Sequence, residues 1–128
     1  MRILGGQYKG LNIDTSKITS YRPTQARVRK SIFDILTPFN FSLVLDLFSG
    51  SGAVGLEAIS RGSSKVLFVE KDIAACECIT KNLVKLNLHE SNKSNNFQVL
   101  NYDFFDKKFS LNTKFDVVFL DPPYEQFE

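Results

Sequence analysis

The stretch Leu43-Val-Leu-Asp-Leu-Phe-Ser-Gly-Ser-Gly-Ala-Val-Gly55 constrains this chain more than any other. An apolar run that reads as a buried strand ends at Asp46, glycines follow, and a helix-like pattern begins at about Ala53. Glycine accepts backbone angles closed to other residues, so such a loop lets N–H groups approach a ligand closely. Gly50-Ser-Gly52-Ala-Val-Gly55 also satisfies G-x-G-x-x-G, in which the first two glycines admit the ligand and the third lets the helix pack on the strand. A tight turn with no ligand is the plainer alternative. The position between strand and helix favours a cradle.

Glu70 ends the next apolar strand, Lys65 to Glu70, where an acid can accept hydrogen bonds from ribose hydroxyls. Its plainer alternative is a surface acid beside Lys71. Taken together, loop and acid suit a dinucleotide or any other adenosine-bearing cofactor.

The remaining pattern predicts an α/β fold. After the glycine loop, a helix carries Val54, Leu56, Ala58 and Ile59 and ends near Arg61-Gly62. Asp72 is a candidate cap for a longer helix over 72–87, with Ile73, Cys76, Ile79, Leu83 and Leu86 on one face. A Ser/Asn-rich loop over 91–96 precedes a third strand, Phe97 to Leu100, and Lys114 to Leu120 gives a fourth. Strands that alternate with helices imply right-handed crossovers and a parallel sheet.

Ahead of this unit, residues 1–13 read as a short hairpin around Gly5-Gly6 and Gly10, followed by a polar loop. Arg22-Pro-Thr24 resembles a helix entry with Thr24 as N-cap. Val28, Ile32, Ile35 and Leu36 recur at helical spacing as the expected buried stripe, and Pro38 stops the helix. Arg27, Arg29 and Lys30 fall off that stripe and are expected in solvent. The organisation is then an N-terminal extension, residues 1–40, on an α/β unit, residues 41–128.

A chain of 128 residues, 43% hydrophobic and 23% charged, fits one globular domain with a real core. No apolar run approaches the roughly 20 residues that span a bilayer. The N-terminus also lacks the apolar stretch of a signal peptide, so a cytoplasmic location without membrane contact is expected. Cys76 and Cys78 are expected as reduced thiols, neither paired nor metal-bound. His89, the one histidine, is expected at the surface.

Asp121-Pro-Pro-Tyr124 directly follows the fourth strand. Two prolines cannot continue a ladder and have no N–H to donate. They leave a stiff loop of carbonyl acceptors beside a carboxylate and an aromatic ring. That suits a flat group with two N–H donors, such as an exocyclic base amine. Asp121 and the Pro122 carbonyl would take its two protons, while Tyr124 stacks on the ring. Held so, the amine turns its lone pair towards an electrophile, and charge developing on nitrogen is stabilised. A strand-ending turn is the alternative, but parallel strands bind ligands at this end.

The glycine loop and D-P-P-Y together resemble S-adenosylmethionine-dependent amino-methyltransferases. Met1-Arg-Ile-Leu-Gly-Gly-Gln-Tyr-Lys-Gly10, Arg22-Pro-Thr24, Arg27-Val-Arg29 and Asp46-Leu-Phe-Ser-Gly-Ser-Gly-Ala-Val-Gly-Leu-Glu-Ala58 narrow the likeness to the bacterial RsmD family. That resemblance implies a Rossmann-like class I methyltransferase sheet. It also implies methyl transfer to the 2-amino group of a guanine in small-subunit (16S) ribosomal RNA, free or in assembled particles. By motif position, Asp46, Phe48, Ser49, Gly50, Ser51 and Gly52 would bind the methionine part of S-adenosyl-L-methionine. Glu70 would take the ribose, and Asp103 would lie near the adenine amine, with a cap or a surface acid as its plainer alternative. Asp121, Pro122, Pro123 and Tyr124 would be catalytic. Transfer from a sulfonium needs neither metal nor covalent intermediate, so positioning carries the catalysis.

The basic segment, Arg22, Thr24, Arg27, Arg29 and Lys30, is expected to hold RNA phosphates, which fix register without reading sequence. The target guanine would leave its stack, most easily in a loop. The family's fold has three further strands, so this chain carries about two thirds of it by resemblance. Its fourth strand would then be an apolar edge of the kind proteins cover. A piece of a longer product, a shortened reading frame and pairing with a second chain all fit that departure. The rival functions are a DNA adenine or cytosine amino-methyltransferase and an inactive remnant that binds cofactor or RNA.

Overall fold

The computed structural model describes residues 1–15, 26–88, 96–106 and 113–120. Arg22, Thr24, His89 and the whole of Asp121 to Tyr124 lie outside these described residues.

The elements follow in the order α1 (Ala26–Ile35), β1 (Leu43–Leu47), α2 (Ala53–Ser60), β2 (Lys65–Glu70), α3 (Ile73–Lys85), β3 (Phe97–Asn101) and β4 (Val117–Leu120). The four strands form one sheet in the order β3-β2-β1-β4, every pair parallel. The chain moves outward from β1 through β2 to β3, then returns to the other side of β1. This makes β1/β4 the topological switch point, where open α/β sheets form their ligand crevice. Leu47 lies opposite Val69 on one side and Leu120 on the other, so three strand ends meet at one level. At the opposite end, Asp116 Oδ2 accepts the Ser42 and Leu43 N–H groups at 3.0 Å each, locking the register of β4 on β1.

The two faces of the sheet are not equivalent. On one, Val44, Val66 and Phe68 join Leu56, Ile59, Ile79 and Leu83 in the main core, together with Ile3, Ile13 and Phe33 from the N-terminal region. Residues 1–15 and α1 therefore share the sheet's own core. On the other face Leu45, Leu47 and Val69 form a smaller cluster. Val118 and Leu120 of β4 remain 50% and 60% exposed. Among the described residues β4 has a strand neighbour only in β1.

Helix α2 is apolar apart from Glu57 and Ser60, and all eight of its residues are buried, as in a helix wrapped by other elements. Helix α3 starts where Asp72 accepts the Ala74 N–H at 3.0 Å, the expected cap. Four of the five residues predicted for its inner face are buried, but Ile73, in the first turn, is 66% exposed.

Two further expectations need correction. Residues 1–13 double back as predicted, but the two arms share a single antiparallel bridge, Arg2 with Asn12, rather than a regular hairpin. The larger correction concerns α1, whose buried residues are Arg29 and Phe33, while Val28 and Ile35 are 48% and 80% exposed. Only part of the stripe is used: Ile32 packs against the main core and Leu36 is half-buried, while the charged Arg29 takes one of the two fully buried positions. Arg29 Nε stands 3.4 Å from Glu57 Oε1, and its Nη2 donates to the Arg2 carbonyl at 2.5 Å. Phe33 fills the space beside it, with its ring centroid 5.2 Å from Phe39, 5.6 Å from Phe119 and 4.9 Å from the Arg61 guanidinium.

Candidate cofactor and active site

The β1–α2 loop is built by backbone angles that its sequence makes affordable. Gly50 and Gly52 have φ of 59° and 85°, where glycine carries no steric cost. Phe48, at φ 56°, is held in the same left-handed region without that excuse, the kind of local strain found at functional sites. Neighbouring contacts impose it. Ser49 N–H donates to the Val69 carbonyl at 3.1 Å, and Ser49 Oγ donates to the Asp46 carbonyl at 2.5 Å.

Gly52 is required for space as well as angle, and Gly55, inside α2, for space alone. A Cβ on Gly52 would lie 3.1 Å from Ile79 Cγ1, and one on Gly55 only 2.2 Å from Phe68 Cε1. The third glycine of the motif thus lets α2 close onto β2, as its spacing implied. Gly52 caps α2 without a side-chain hydrogen bond. Asp46, 4% exposed, accepts the Gly55 N–H in the first turn at 3.0 Å.

Glu70 reaches into the same loop. Its Oε1 accepts the Gly50 N–H and its Oε2 the Asp72 N–H, both at 2.9 Å. One carboxylate therefore ties the glycine loop to the start of α3. Each oxygen has a second lone pair, so the group can still accept from a diol.

Beyond Glu70 lies a small pocket at the carboxyl ends of three strands, lined by Phe48, Val69, Lys71, Tyr102, Asp103 and Phe104. The Asp103 side chain is exposed, and its Oδ1 accepts the Phe105 N–H at 2.9 Å. Phe48 packs against Phe104 and Phe105 with centroids 5.6 and 5.5 Å away. The lining thus combines three aromatic rings, Phe48, Tyr102 and Phe104, with Val69 and one charge of each sign, Lys71 and Asp103. Every cofactor residue expected from the sequence, from Asp46 to Gly52 with Glu70 and Asp103, stands around this end of the sheet.

The expected RNA contacts divide. Arg27 and Lys30 are exposed, and Lys30 Nζ pairs with Asp34 Oδ2 at 2.8 Å. Arg29 is 0% exposed and cannot reach a phosphate; the expectation of an RNA contact there is withdrawn. Its guanidinium is committed to Glu57 and to the backbone of Arg2.

Glu57 is the residue that sequence reasoning passed over. It is 0% exposed, and its oxygens accept the Leu4 and Gly5 N–H groups at 2.9 Å each and Arg61 Nε at 2.8 Å. Ser60, one turn on, takes the Tyr8 N–H at 2.9 Å and donates to the Gly5 carbonyl at 2.5 Å. The available signal was the one charged residue in a helix otherwise made of apolar residues and Ser60. Cys76 and Cys78 are free and buried. Burial, reinforced by Glu70, Asp72 and Glu77 and partly offset by a hydrogen bond to Asn101, pushes the Cys76 thiol up to about 11. The Cys78 thiol is also raised, chiefly by burial.

A parallel sheet with this switch point, a glycine loop after β1 and an acid at the end of β2 has the Rossmann-like fold of class I methyltransferases. The fold recurs in the Pyrococcus abyssi tRNA (uracil-54, C5)-methyltransferase, solved with S-adenosyl-L-homocysteine, at a TM-score of 0.61, 21% identity, 84% of this chain and 25% of that one. Residues 1–128 match the family model described as conserved hypothetical protein 95, and the chain belongs to that family, the RsmD family. It is 35% identical to ribosomal RNA small subunit methyltransferase D of Escherichia coli over 127 residues, covering 98% of this chain and 61% of that protein. The solved Escherichia coli chain yhhF superimposes with a TM-score of 0.78 at 34% identity, covering 98% of this chain and 65% of that one. This chain thus spans less than two thirds of the length of either Escherichia coli protein.

Proposed function

We propose that this chain is the cofactor-binding part of an enzyme that moves a methyl group from S-adenosyl-L-methionine to the 2-amino group of a guanine in small-subunit ribosomal RNA. The observation that carries the reading is the meeting of the glycine loop, Glu70 and the end of β4 at one switch point. Leu120 is paired with Leu47, and Asp121 is the next residue in sequence.

When bound, the cofactor supplies a methyl group on a sulfonium, a carbon already activated towards a nucleophile. The residues fit such a molecule: the turn is free of side chains at Gly50 and Gly52, and Glu70 retains acceptor capacity for a ribose. Asp103 at the pocket rim is an acceptor for an adenine amine, and Phe48 and Phe104 are walls for its ring. Asp121 and the Pro122 carbonyl accept the two N–H bonds of the guanine amine and turn its lone pair to the methyl carbon. The cofactor would supply the methyl carbon with its sulfur as the leaving group, so the protein has only the amine to orient. The nitrogen then sheds one proton towards Asp121 or water. Tyr124 stacks on the base, and Pro123 keeps the loop stiff. Arg27 and Lys30, with Arg22 and Thr24, contact RNA phosphates.

The test is transfer of labelled methyl by the full-length protein to small-subunit RNA, to the same RNA with inosine replacing guanine, and to DNA. Transfer to the first alone is expected, because inosine lacks the 2-amino group. Transfer only to DNA would overturn the RNA reading. Asp121→Ala should abolish transfer while cofactor affinity stays within about threefold, since positioning rather than binding is removed. Turnover retained in that variant would refute the role of Asp121.

A further inference from the structure

We propose that the Asn82 side chain couples the glycine loop to the N-terminal segment, so that a ligand filling the loop also fixes the backbone at Asp14. The inference rests on the cofactor reading above and adds a positioning residue to it.

Asn82 lies on α3 and is 1% exposed. Its Oδ1 accepts the Asp14 N–H at 2.9 Å, while Nδ2 donates to the Asp14 carbonyl at 3.0 Å and to the Ser51 carbonyl at 3.2 Å. Exchanging the amide's oxygen and nitrogen would set oxygen against two carbonyls, so only this orientation satisfies all three partners. Ser51, itself 0% exposed, is the residue between Gly50 and Gly52. One planar amide thus holds the middle of the cofactor loop on one side and pairs with a residue of the N-terminal segment on the other.

The surroundings make the link stiff. Cys78, one turn earlier on α3, donates its thiol to the same Asp14 carbonyl at 3.1 Å, and Lys85 Nζ stands 3.8 Å from Asp14 Oδ1. Ile13, next to Asp14, is 5% exposed. On the loop side, Ile79 of α3 abuts the Cβ position of Gly52. A ligand that orders the Ser51–Gly52 peptide must also order the Asn82 amide, because the amide's other two bonds cannot be kept while it turns. Coupling of this kind is reciprocal. The N-terminal segment, when docked, preorganises the loop.

The measurement is hydrogen exchange at the Asp14 N–H in the full-length protein, with and without saturating S-adenosyl-L-homocysteine. In the wild type the ligand should slow that exchange about fivefold or more, the lower end of ordinary coupling between sites. In Asn82→Ala the ligand-dependent slowing should vanish and ligand Kd should rise about tenfold, within the same range. Asn82→Asp keeps the acceptor for Asp14 N–H and the side chain's shape but loses both donations. It should show the same loss of ligand dependence should the alanine variant fail to fold. Unchanged exchange in the saturated wild type, or slowing that survives either variant, would overturn the coupling. No ligand binding to the wild type by calorimetry would instead overturn the cofactor reading, and the coupling with it.

Discussion

The two ends of α2 bury polar groups in opposite ways. At its start, the Gly50 and Gly52 N–H groups are held by Glu70 and the Ser49 carbonyl, glycine stands where a side chain would intrude, and each Glu70 oxygen takes a single backbone N–H. Towards its end, Glu57 takes two backbone N–H groups and two guanidiniums and has little capacity left. A saturated buried carboxylate anchors structure; an acceptor with spare lone pairs beside a side-chain-free loop can hold a ligand. The comparison teaches that burial alone does not separate a site from a scaffold. Unspent hydrogen-bonding capacity does.

The sharpest way to break the contrast is Glu57→Ala. It leaves Arg29 buried without its carboxylate and frees the Leu4 and Gly5 N–H groups, and should cost roughly 3–5 kcal/mol of stability in urea unfolding. Arg29→Ala should fall in the same direction through lost packing and the loss of one of the two guanidiniums beside Glu57. An unchanged midpoint in both would mean that the cluster anchors nothing.

A second expected effect concerns pH. The native Cys76 thiol, at about 11, holds its proton above the range where an unfolded thiol loses it. Its contribution to stability is therefore complete below the ordinary thiol range and is lost as pH rises towards 11. Chemical denaturation at stepped alkaline pH should show the wild type losing more stability than Cys76→Ser over that interval. Equal losses would remove the burial argument.

The smallest stability effect belongs to the exposed cations. Arg27→Ala and Lys30→Ala should move stability by less than about 0.5 kcal/mol. Each should lower the salt dependence of RNA binding by about one phosphate contact. A change in the unfolding midpoint without a change in salt slope would place them with Arg29 as structural residues.

How much was legible in the sequence follows from how local each demand is. The glycine loop, the Asp72 cap and the limits of β2 were readable because turn angles, capping and apolar runs are set by adjacent residues. The parallel sheet followed from the alternation of elements. The burial of Arg29 was not readable, because its partner Glu57 lies 28 positions on and a charged residue is placed in solvent until such a partner is known. Nothing in a window around Asn82 or Ser60 shows that they bind the backbone of residues 5–14. Those contacts exist only once α2 and α3 pack beside the N-terminal segment. Ile73 misled for a similar reason: the helical period put it on the inner face, but the first turn of α3 projects past the core.

The most direct test of the central claim, that the start of α2 is a cofactor cradle and not only a turn, is a calorimetric titration of S-adenosyl-L-homocysteine into the wild type and Gly52→Val. A branched side chain there must adopt φ near 85° and enter the space beside Ile79 and Phe68. The account predicts saturable binding to the wild type and its loss in a variant that circular dichroism shows to be folded. Equal affinity in the two proteins would contradict it.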